Sequence, residues 1–140
     1  MSARQGTDAR ARLSEGSGSD AACTALRGKA VLIAEDEFMV ALNVQAQLEA
    51  CGATVTLIDS VADGLPIAGG GFDVALLDVR LADGDVYPLA DALIALGVPI
   101  VFHSGHADAS DLVAAYPDAR ALPKPSWGGE VARTLGLVAA

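Results

Sequence analysis

Four places in the sequence carry side chains that could together hold a phosphate group through a divalent cation. The acidic run Glu35–Glu37, Asp78, Ser104 and Lys124 each stand at or just after the end of a short apolar run. Carboxylates crowded together repel one another unless a positive group joins them, and Mg²⁺ suits such oxygen ligands when phosphate is also present. The cation, the hydroxyl and the ammonium would bind a tetrahedral oxyanion, with Asp78 as its covalent attachment point.

Each of these residues also has an ordinary structural interpretation. Acidic side chains at strand ends often begin loops or cap helices, Ser104 is of a type common at helix N-caps, and a lone lysine is usually a surface residue. The combination favours a site, because Lys124 is the only lysine after Lys29. His103 and His106 suggest a transition metal, but no cysteine or third histidine joins them, so we expect no zinc site.

The residues around these positions alternate between apolar runs and helical patterns. Strands are predicted at 30–34, 54–58, 72–78, 98–103 and 119–122. Helices are predicted at about 40–51, from 60 onward, and at 86–96, 108–116 and 131–138. The second helix is expected to be poor, because several glycines and Pro66 interrupt it. Apolar strands that alternate with helices predict an α/β fold, in which a parallel sheet is covered on both faces and binds ligands at the carboxyl ends of its strands.

The charge of the chain narrows the classes of partner. The 140 residues include 18 acidic and 9 basic ones, and residues 30–140 carry a net charge of −11. A domain this acidic argues against binding nucleic acid, because affinity for nucleic acid comes mainly from Lys and Arg. The longest apolar run is far short of the roughly 20 residues of a membrane helix, and no secretory signal is recognisable. We therefore expect a cytoplasmic protein that binds neither nucleic acid nor membrane.

The first 29 residues differ in composition from the rest. Residues 14–20 consist of Ser, Gly, Glu and Asp, so residues 1–29 are expected to be a flexible tail and residues 30–140 the single folded domain. The two cysteines, Cys23 and Cys51, are too few for a disulfide framework, and both are expected to be free thiols. Nothing after the last helix is long enough for an output domain, so a stand-alone domain is expected.

Four segments resemble the receiver domain of two-component response regulators. They are V-L-I-A-E-D-E at 31–37, F-D-V-A-L-L-D-V-R-L at 72–81, V-P-I-V-F-H-S-G-H at 98–106 and L-P-K-P at 122–125. Their order and spacing cover nearly all of the folded part, from about residue 29 to residue 137. The resemblance implies a CheY-like, flavodoxin-like fold with five parallel strands in the order 2-1-3-4-5.

The resemblance also implies a metal site and an acceptor. Glu35 and Asp36 are similar to the acidic pair that holds Mg²⁺ in the family, with Asp36 the more direct ligand. Asp78 is similar to the phosphoryl acceptor, which is itself a metal ligand. The backbone carbonyl of Arg80 would complete the ligands that the protein supplies.

Other positions correspond to residues that contact or tune the phosphoryl group. Ser104 takes the hydroxyl position and Lys124 that of the phosphoryl-contacting lysine, while Arg80, Gly105 and His106 would modulate the lifetime of the phosphoryl group. Ala121 stands where many receivers have an aromatic residue three positions before the lysine, so an aromatic switch is not expected there. With the F-H-S-G-H string at 102–106 and no aromatic residue on strand five, the chain is similar to the FATGUY-type receivers of general stress signalling.

The resemblance implies a single-domain response regulator. A histidine kinase or a histidine phosphotransfer protein would be the phosphoryl donor, and the chain would signal to a downstream protein partner as a monomer or weak dimer, or act as a phosphate sink. It would not be an enzyme that turns over an external substrate. A receiver-like binding scaffold that is never phosphorylated remains the alternative. A flavin protein or phosphohydrolase is less favoured, because acidic residues stand where a flavodoxin-like phosphate loop would lie.

Overall fold

The protein is built on a central sheet of five parallel strands. The computed structural model describes residues 17–105, 109–124 and 129–139. Its sheet contains β1 (Ala30–Ala34), β2 (Thr54–Ile58), β3 (Val74–Asp78), β4 (Ile100–Ser104) and β5 (Arg120–Pro123). These strands lie in the order β2-β1-β3-β4-β5. The predicted fold class and strand order are therefore confirmed. A separate antiparallel hairpin pairs Arg80–Leu81 with Gly84–Asp85.

Helices cover both faces of this sheet. They are α1 (Ser17–Ala25), α2 (Phe38–Ala50), α3 (Val61–Gly64), α4 (Tyr87–Ala95), α5 (Ala109–Ala115) and α6 (Glu130–Ala139). On one face Leu89 of α4 packs in a cluster with Phe102 of β4, and on the other Leu48 of α2 packs with Leu135 of α6. Alternate residues of each strand point to opposite faces, so the continuous apolar strands fill both clusters.

Local signals determine where α2 ends and where α3 begins. Gly52 follows the last turn of α2 with a φ of 90°, a left-handed conformation that glycine adopts without steric cost. The Ser60 hydroxyl accepts a hydrogen bond of 3.0 Å from the amide of Asp63 at the start of α3, as the sequence predicts. The expected weakness of the second helix is also observed, since α3 has four residues and continues as a 3-10 turn over Leu65–Ile67.

A carboxylate from the hairpin gives α3 a further cap that the sequence does not reveal. Asp83 accepts hydrogen bonds from the amides of Val61 and Ala62 at 2.8 and 3.0 Å. These bonds stabilise the ionised carboxylate and hold the pKa of Asp83 below its usual value. The contact also ties the turn after β3 to the start of α3, so it helps to position the segment that follows Asp78.

The second part of the predicted tail is ordered. Residues 17–25 form α1, which packs against α6, and Ala22 and Leu26 are buried there. This differs from the flexible segment that the Ser- and Gly-rich composition predicts. The physical reason is that the small apolar residues after Asp20 fit closely on α6, and that contact is not visible in local composition. Residues 1–16 lie outside the described part of the chain, and the flexibility of that segment remains a prediction.

The prediction of free thiols at Cys23 and Cys51 is wrong. The two side chains form a disulfide that joins α1 to the end of α2, with the Cα atoms 5.0 Å apart. Their separation of 28 residues gave no local signal of pairing. They meet because α1 folds back beside the end of α2, which is a tertiary contact that a count of cysteines does not detect.

Substituting Gly136 tests how closely α1 and α6 pack. A Cβ atom at Gly136 would overlap the backbone carbonyl of Ala22, which cannot move aside as a flexible side chain can. Alanine would favour the helix by roughly 1 kcal/mol, yet overpacking costs about 1–3 kcal/mol, so we expect Gly136→Ala to lower the melting temperature. Gly69→Ala is the control, since nothing lies within 4 Å of its added Cβ. A more stable Gly136→Ala variant in thermal denaturation would contradict this packing.

Within the described residues, no helix has both the length and the apolar character needed to cross a membrane.

Candidate functional site

The carboxyl ends of four strands bring the predicted site residues together. Glu35 directly follows β1, Asp78 and Ser104 are the last residues of β3 and β4, and Lys124 directly follows β5. The amide of Lys124 donates a hydrogen bond of 2.8 Å to the carbonyl of Ser104, so the segment after β5 stays beside β4. Because the strands are parallel, all four residues lie at one edge of the sheet.

Three carboxylates form an acidic cluster at this edge. Glu35, Asp36 and Asp78 each offer a carboxylate oxygen, and these oxygens lie within 4.8 Å of one another. Glu35 and Asp78 are buried, with 5% and 8% of their surface exposed, whereas Asp36 is exposed to solvent. Hard oxygen donors with one side open to water are the ligands that Mg²⁺ accepts. The cluster is therefore compatible with a Mg²⁺ ion, as the sequence predicts.

Lys124 supplies the positive charge that faces the acidic cluster. Its Nζ atom lies 3.0 Å from Oδ2 of Asp78, 3.1 Å from Oε1 of Glu35 and 3.8 Å from Oε1 of Glu37. Burial alone would lower the pKa of this ammonium, but its hydrogen bonds to Asp78 and Glu35 outweigh burial and raise the pKa. Lys124 is thus charged, and it directly contacts the predicted acceptor.

The buried carboxyl of Glu35 has a shifted proton affinity. Burial and the neighbouring Asp78 raise its pKa to about 7, although the amide of Glu37 and the ammonium of Lys124 act in the opposite direction. The Glu37 amide donates a hydrogen bond of 3.1 Å to Oε2 of Glu35. Glu37, which the sequence placed in the acidic run without a role, therefore contacts the site through both its backbone and its side chain.

The shifted pKa of Glu35 predicts that metal binding depends on pH. A protonated carboxyl must lose its proton before it can ligate a cation, so Mg²⁺ affinity rises as the pH rises through about 7 and then levels off. Between about pH 6 and about pH 8 we expect an increase of about 10-fold, measured by calorimetric Mg²⁺ titration of the metal-free protein. The Glu35→Gln variant keeps the shape without the titrating group. An equally steep pH dependence in that variant would assign the effect to another residue.

Ser104 and His103 have different environments on the same strand. Ser104 is 2% exposed at the end of β4, beside the segment that carries Lys124. Burial, together with the charge of Lys124, lowers the pKa of His103 to about 4, so this imidazole is neutral near pH 7. Within the part of the chain that the structure describes, the only metal-ligand cluster is the three-carboxylate one. His106, the second histidine considered as a possible zinc ligand, lies outside the described residues.

The predicted modulating residues are only partly described. The guanidinium of Arg80 is exposed and pairs with Asp85 of the hairpin, with Nε and Oδ1 3.1 Å apart. Gly105 follows Ser104 and is exposed, and His106 lies outside the described residues. The roles of all three, and that of the Arg80 carbonyl as a metal ligand, remain predictions.

Ala121 brings no aromatic side chain to β5, and the aromatic residues of this region belong to other elements. Ala121 lies beside Phe102 in the register of β4 and β5. Phe102 contacts Tyr116, with ring centroids 5.1 Å apart, and Tyr116 stacks with Tyr87 of α4 at 5.9 Å. The Tyr116 hydroxyl donates a hydrogen bond of 2.8 Å to Asp91. The aromatic contacts of this region therefore link the end of α5 to α4 and do not involve β5.

A doubly wound parallel sheet with an acidic cluster and a lysine at its carboxyl edge defines the CheY-like class of α/β proteins. Neither models of protein families nor curated protein sequences give a match to this chain. Solved structures, in contrast, do match this chain. SdrG from Sphingomonas melonis Fr1 is 33% identical, with 82% of this chain and 97% of that chain covered and a TM-score of 0.66.

Two further solved structures have the same fold. A response regulator receiver protein from Sinorhizobium medicae WSM419 is 26% identical over 81% of this chain and 96% of that one, with a TM-score of 0.71. The receiver domain of the sensor histidine kinase PA1611 from Pseudomonas aeruginosa PAO1, solved with a magnesium ion in its active site cleft, is 25% identical over 80% of this chain and 98% of that one, with a TM-score of 0.68. The chain belongs to the receiver-domain family of response regulators.

Proposed function

We propose that this receiver domain accepts a phosphoryl group on Asp78 from the phosphohistidine of a histidine kinase or a histidine phosphotransfer protein. One observation carries the proposal: the Asp78 carboxylate lies within 3.0 Å of the Lys124 ammonium and in one cluster with Glu35 and Asp36. In the proposed reaction, Asp78 would be the nucleophile, the three carboxylates the cation site and Lys124 the oxyanion partner for one incoming group.

The metal ion belongs to the proposal because the acidic cluster fits it. Asp36, Asp78 and Glu35 would hold Mg²⁺, with the carbonyl of Arg80 as a further ligand. When bound, the ion neutralises charge on the oxygens of the transferring phosphoryl group. The receiver domain of PA1611 was solved with such an ion in its active site cleft, which supports the same assignment here.

The residues of the chain have defined parts in the transfer. A carboxylate oxygen of Asp78 attacks the phosphorus in line, the P–N bond to the donor histidine breaks, and the electron pair of that bond returns to the imidazole. Lys124 moves from the free carboxylate to the new phosphoryl oxygens and balances their charge. The Ser104 hydroxyl donates a hydrogen bond to another phosphoryl oxygen, and this draws Ser104 and Gly105 inward.

Exposed apolar residues beside the site are suited to a protein partner. Phe38 and Met39 begin α2 directly after the acidic run, and they are 69% and 76% exposed. Adjacent apolar side chains with this exposure are typical of interaction surfaces. A phosphoprotein donor that docks here would bring its histidine to Asp78. The chain would act in the cytoplasm, where such donors work, and pass the signal to a protein partner or serve as a phosphate sink.

The proposal is tested by intact mass spectrometry after incubation with a small acyl-phosphate donor. With Mg²⁺ present, we expect one phosphoryl adduct for each chain. With a chelator in place of Mg²⁺, the adduct should be almost absent, because the three carboxylates and the incoming group then repel one another. An unmodified mass under conditions that label another receiver domain would overturn the phosphoacceptor function and favour a binding scaffold.

A further inference from the structure

A cysteine pair lies away from the acidic site. Cys23 is on α1 and Cys51 caps the end of α2, and their Cα atoms are 5.0 Å apart. Disulfides tolerate Cα separations of roughly 4.4–6.8 Å. The backbone is therefore placed so that the S–S bond can form without any rearrangement of the two helices.

Backbone hydrogen bonds join the two cysteine-bearing segments independently of the S–S bond. The amide of Gly28 donates a hydrogen bond of 2.9 Å to the carbonyl of Gly52, and the amide of Thr54 donates one of 2.8 Å to the carbonyl of Lys29. These bonds hold the segment after α1 beside the segment after α2. Reduced thiols would stay adjacent, so closing the bond again is an intramolecular step with a high effective concentration.

Small reagents can reach the cysteine pair from solvent. Both residues are half-buried and line a surface cavity of about 380 Å³ together with Arg27 and Glu49.

Among the described residues, the disulfide is the only covalent link between α1 and the sheet domain beyond the chain itself. Without it, α1 is held by small apolar contacts, in which Ala22 lies on Gly136 and Leu26 lies in the cluster that includes Leu135. Such a short helix has little stability of its own. The disulfide adds to these contacts, so opening it should loosen α1 on α2 and α6.

We propose that Cys23 and Cys51 form a reversible thiol–disulfide site through which low-molecular-weight disulfides such as glutathione disulfide control the docking of α1. This rests on the proposed function in one respect: a kinase-coupled receiver works in a reducing cytoplasm, where protein disulfides are usually transient or redox-sensing. A structural bond that never opens would be unusual in that compartment.

The chemistry of the site is thiol–disulfide exchange. One cysteine thiolate attacks a sulfur of the small disulfide, forms a mixed disulfide and releases one small thiolate. The second cysteine thiolate then attacks the protein sulfur of the mixed disulfide and releases the second small thiolate. The protein loses two electrons and two protons, and the small disulfide is reduced to two thiols.

The first test is a redox titration of the full chain. The protein is equilibrated in buffers with graded ratios of reduced to oxidised glutathione, quenched with acid and treated with a maleimide. Its intact mass is then measured by mass spectrometry. We expect a single transition between a species with no maleimide and one with two, reversible in both directions. Independent alkylation of the two cysteines at every ratio would overturn the inference. So would a bond that persists in the native protein under excess dithiothreitol.

The second test measures the docking of α1 by amide hydrogen exchange. We expect the amides of α1 to exchange at least about 10-fold faster in reduced protein, because the cross-link no longer limits local opening, while β3 is unchanged. The double variant Cys23→Ser/Cys51→Ser should behave as the reduced protein in either buffer. Equal exchange in oxidised and reduced wild-type protein would overturn the inference. Asp78 labelling of the same samples shows independently whether the proposed phosphoacceptor function holds.

Discussion

An Asp78→Asn variant gains no phosphoryl group from an acyl-phosphate donor, even with saturating Mg²⁺. The amide lacks the anionic oxygen that attacks phosphorus, and it also removes one negative ligand from the acidic cluster. The change is nearly isosteric, so the fold is kept at the end of the buried strand β3. We expect incorporation to fall below the detection limit of intact mass spectrometry.

The matched control for this experiment is Asp73→Asn. Asp73 precedes β3 at the opposite edge of the sheet, where its carboxylate accepts a hydrogen bond from the amide of Ala30, and an asparagine oxygen can still accept it. The same chemical change at this position should leave labelling at the wild-type level. Full labelling of Asp78→Asn would show that another residue is the acceptor and would contradict the proposed reaction.

The Lys124→Met variant is expected to be labelled about 10²–10³-fold more slowly, since it lacks one preorganised charge that stabilises the transferring oxygens. Methionine keeps much of the length of the side chain but not the ammonium that lies 3.0 Å from Asp78. The rate is measured from the time course of adduct formation at saturating Mg²⁺.

Two comparisons separate the role of Lys124 from a loss of structure. Lys29→Met removes the other lysine, which lies just before β1 at the far edge of the sheet, and should label at the wild-type rate. In Lys124→Met the affinity for Mg²⁺ should be retained or increased, because the ammonium no longer competes for Glu35 and Asp78. Labelling of Lys124→Met at the wild-type rate would exclude a phosphoryl-contacting role.

The sheet and its site could be predicted because their signals are local and strong. The strand Ala30–Ala34 and the strand ending at Asp78 are continuous apolar runs, which is the pattern of parallel strands buried on both faces. Once these runs are taken as parallel, the polar residues that follow them must share one edge. That Glu35, Asp78 and Lys124 lie close together then follows from the strand topology alone.

The features that the sequence did not reveal depend on long-range packing. The helix that contains Cys23 is stabilised by its contact with α6 and by Cys51, and neither is near it in the chain. The pKa of Glu35 depends on burial against Asp78, and the cap that Asp83 provides to Val61 depends on the path of the hairpin. These are tertiary effects, and composition and periodicity carry no information about them.

The most direct test of the phosphoacceptor function is to map the modified residue chemically. Wild-type protein is incubated with Mg²⁺ and an acyl-phosphate donor, and the adduct is reduced with borohydride, which converts an acyl phosphate on aspartate to a stable alcohol. After proteolysis, peptide mass spectrometry should find this alcohol at Asp78. An alcohol at a different carboxylate, or none at all in a sample whose intact mass shows the adduct, would contradict the account.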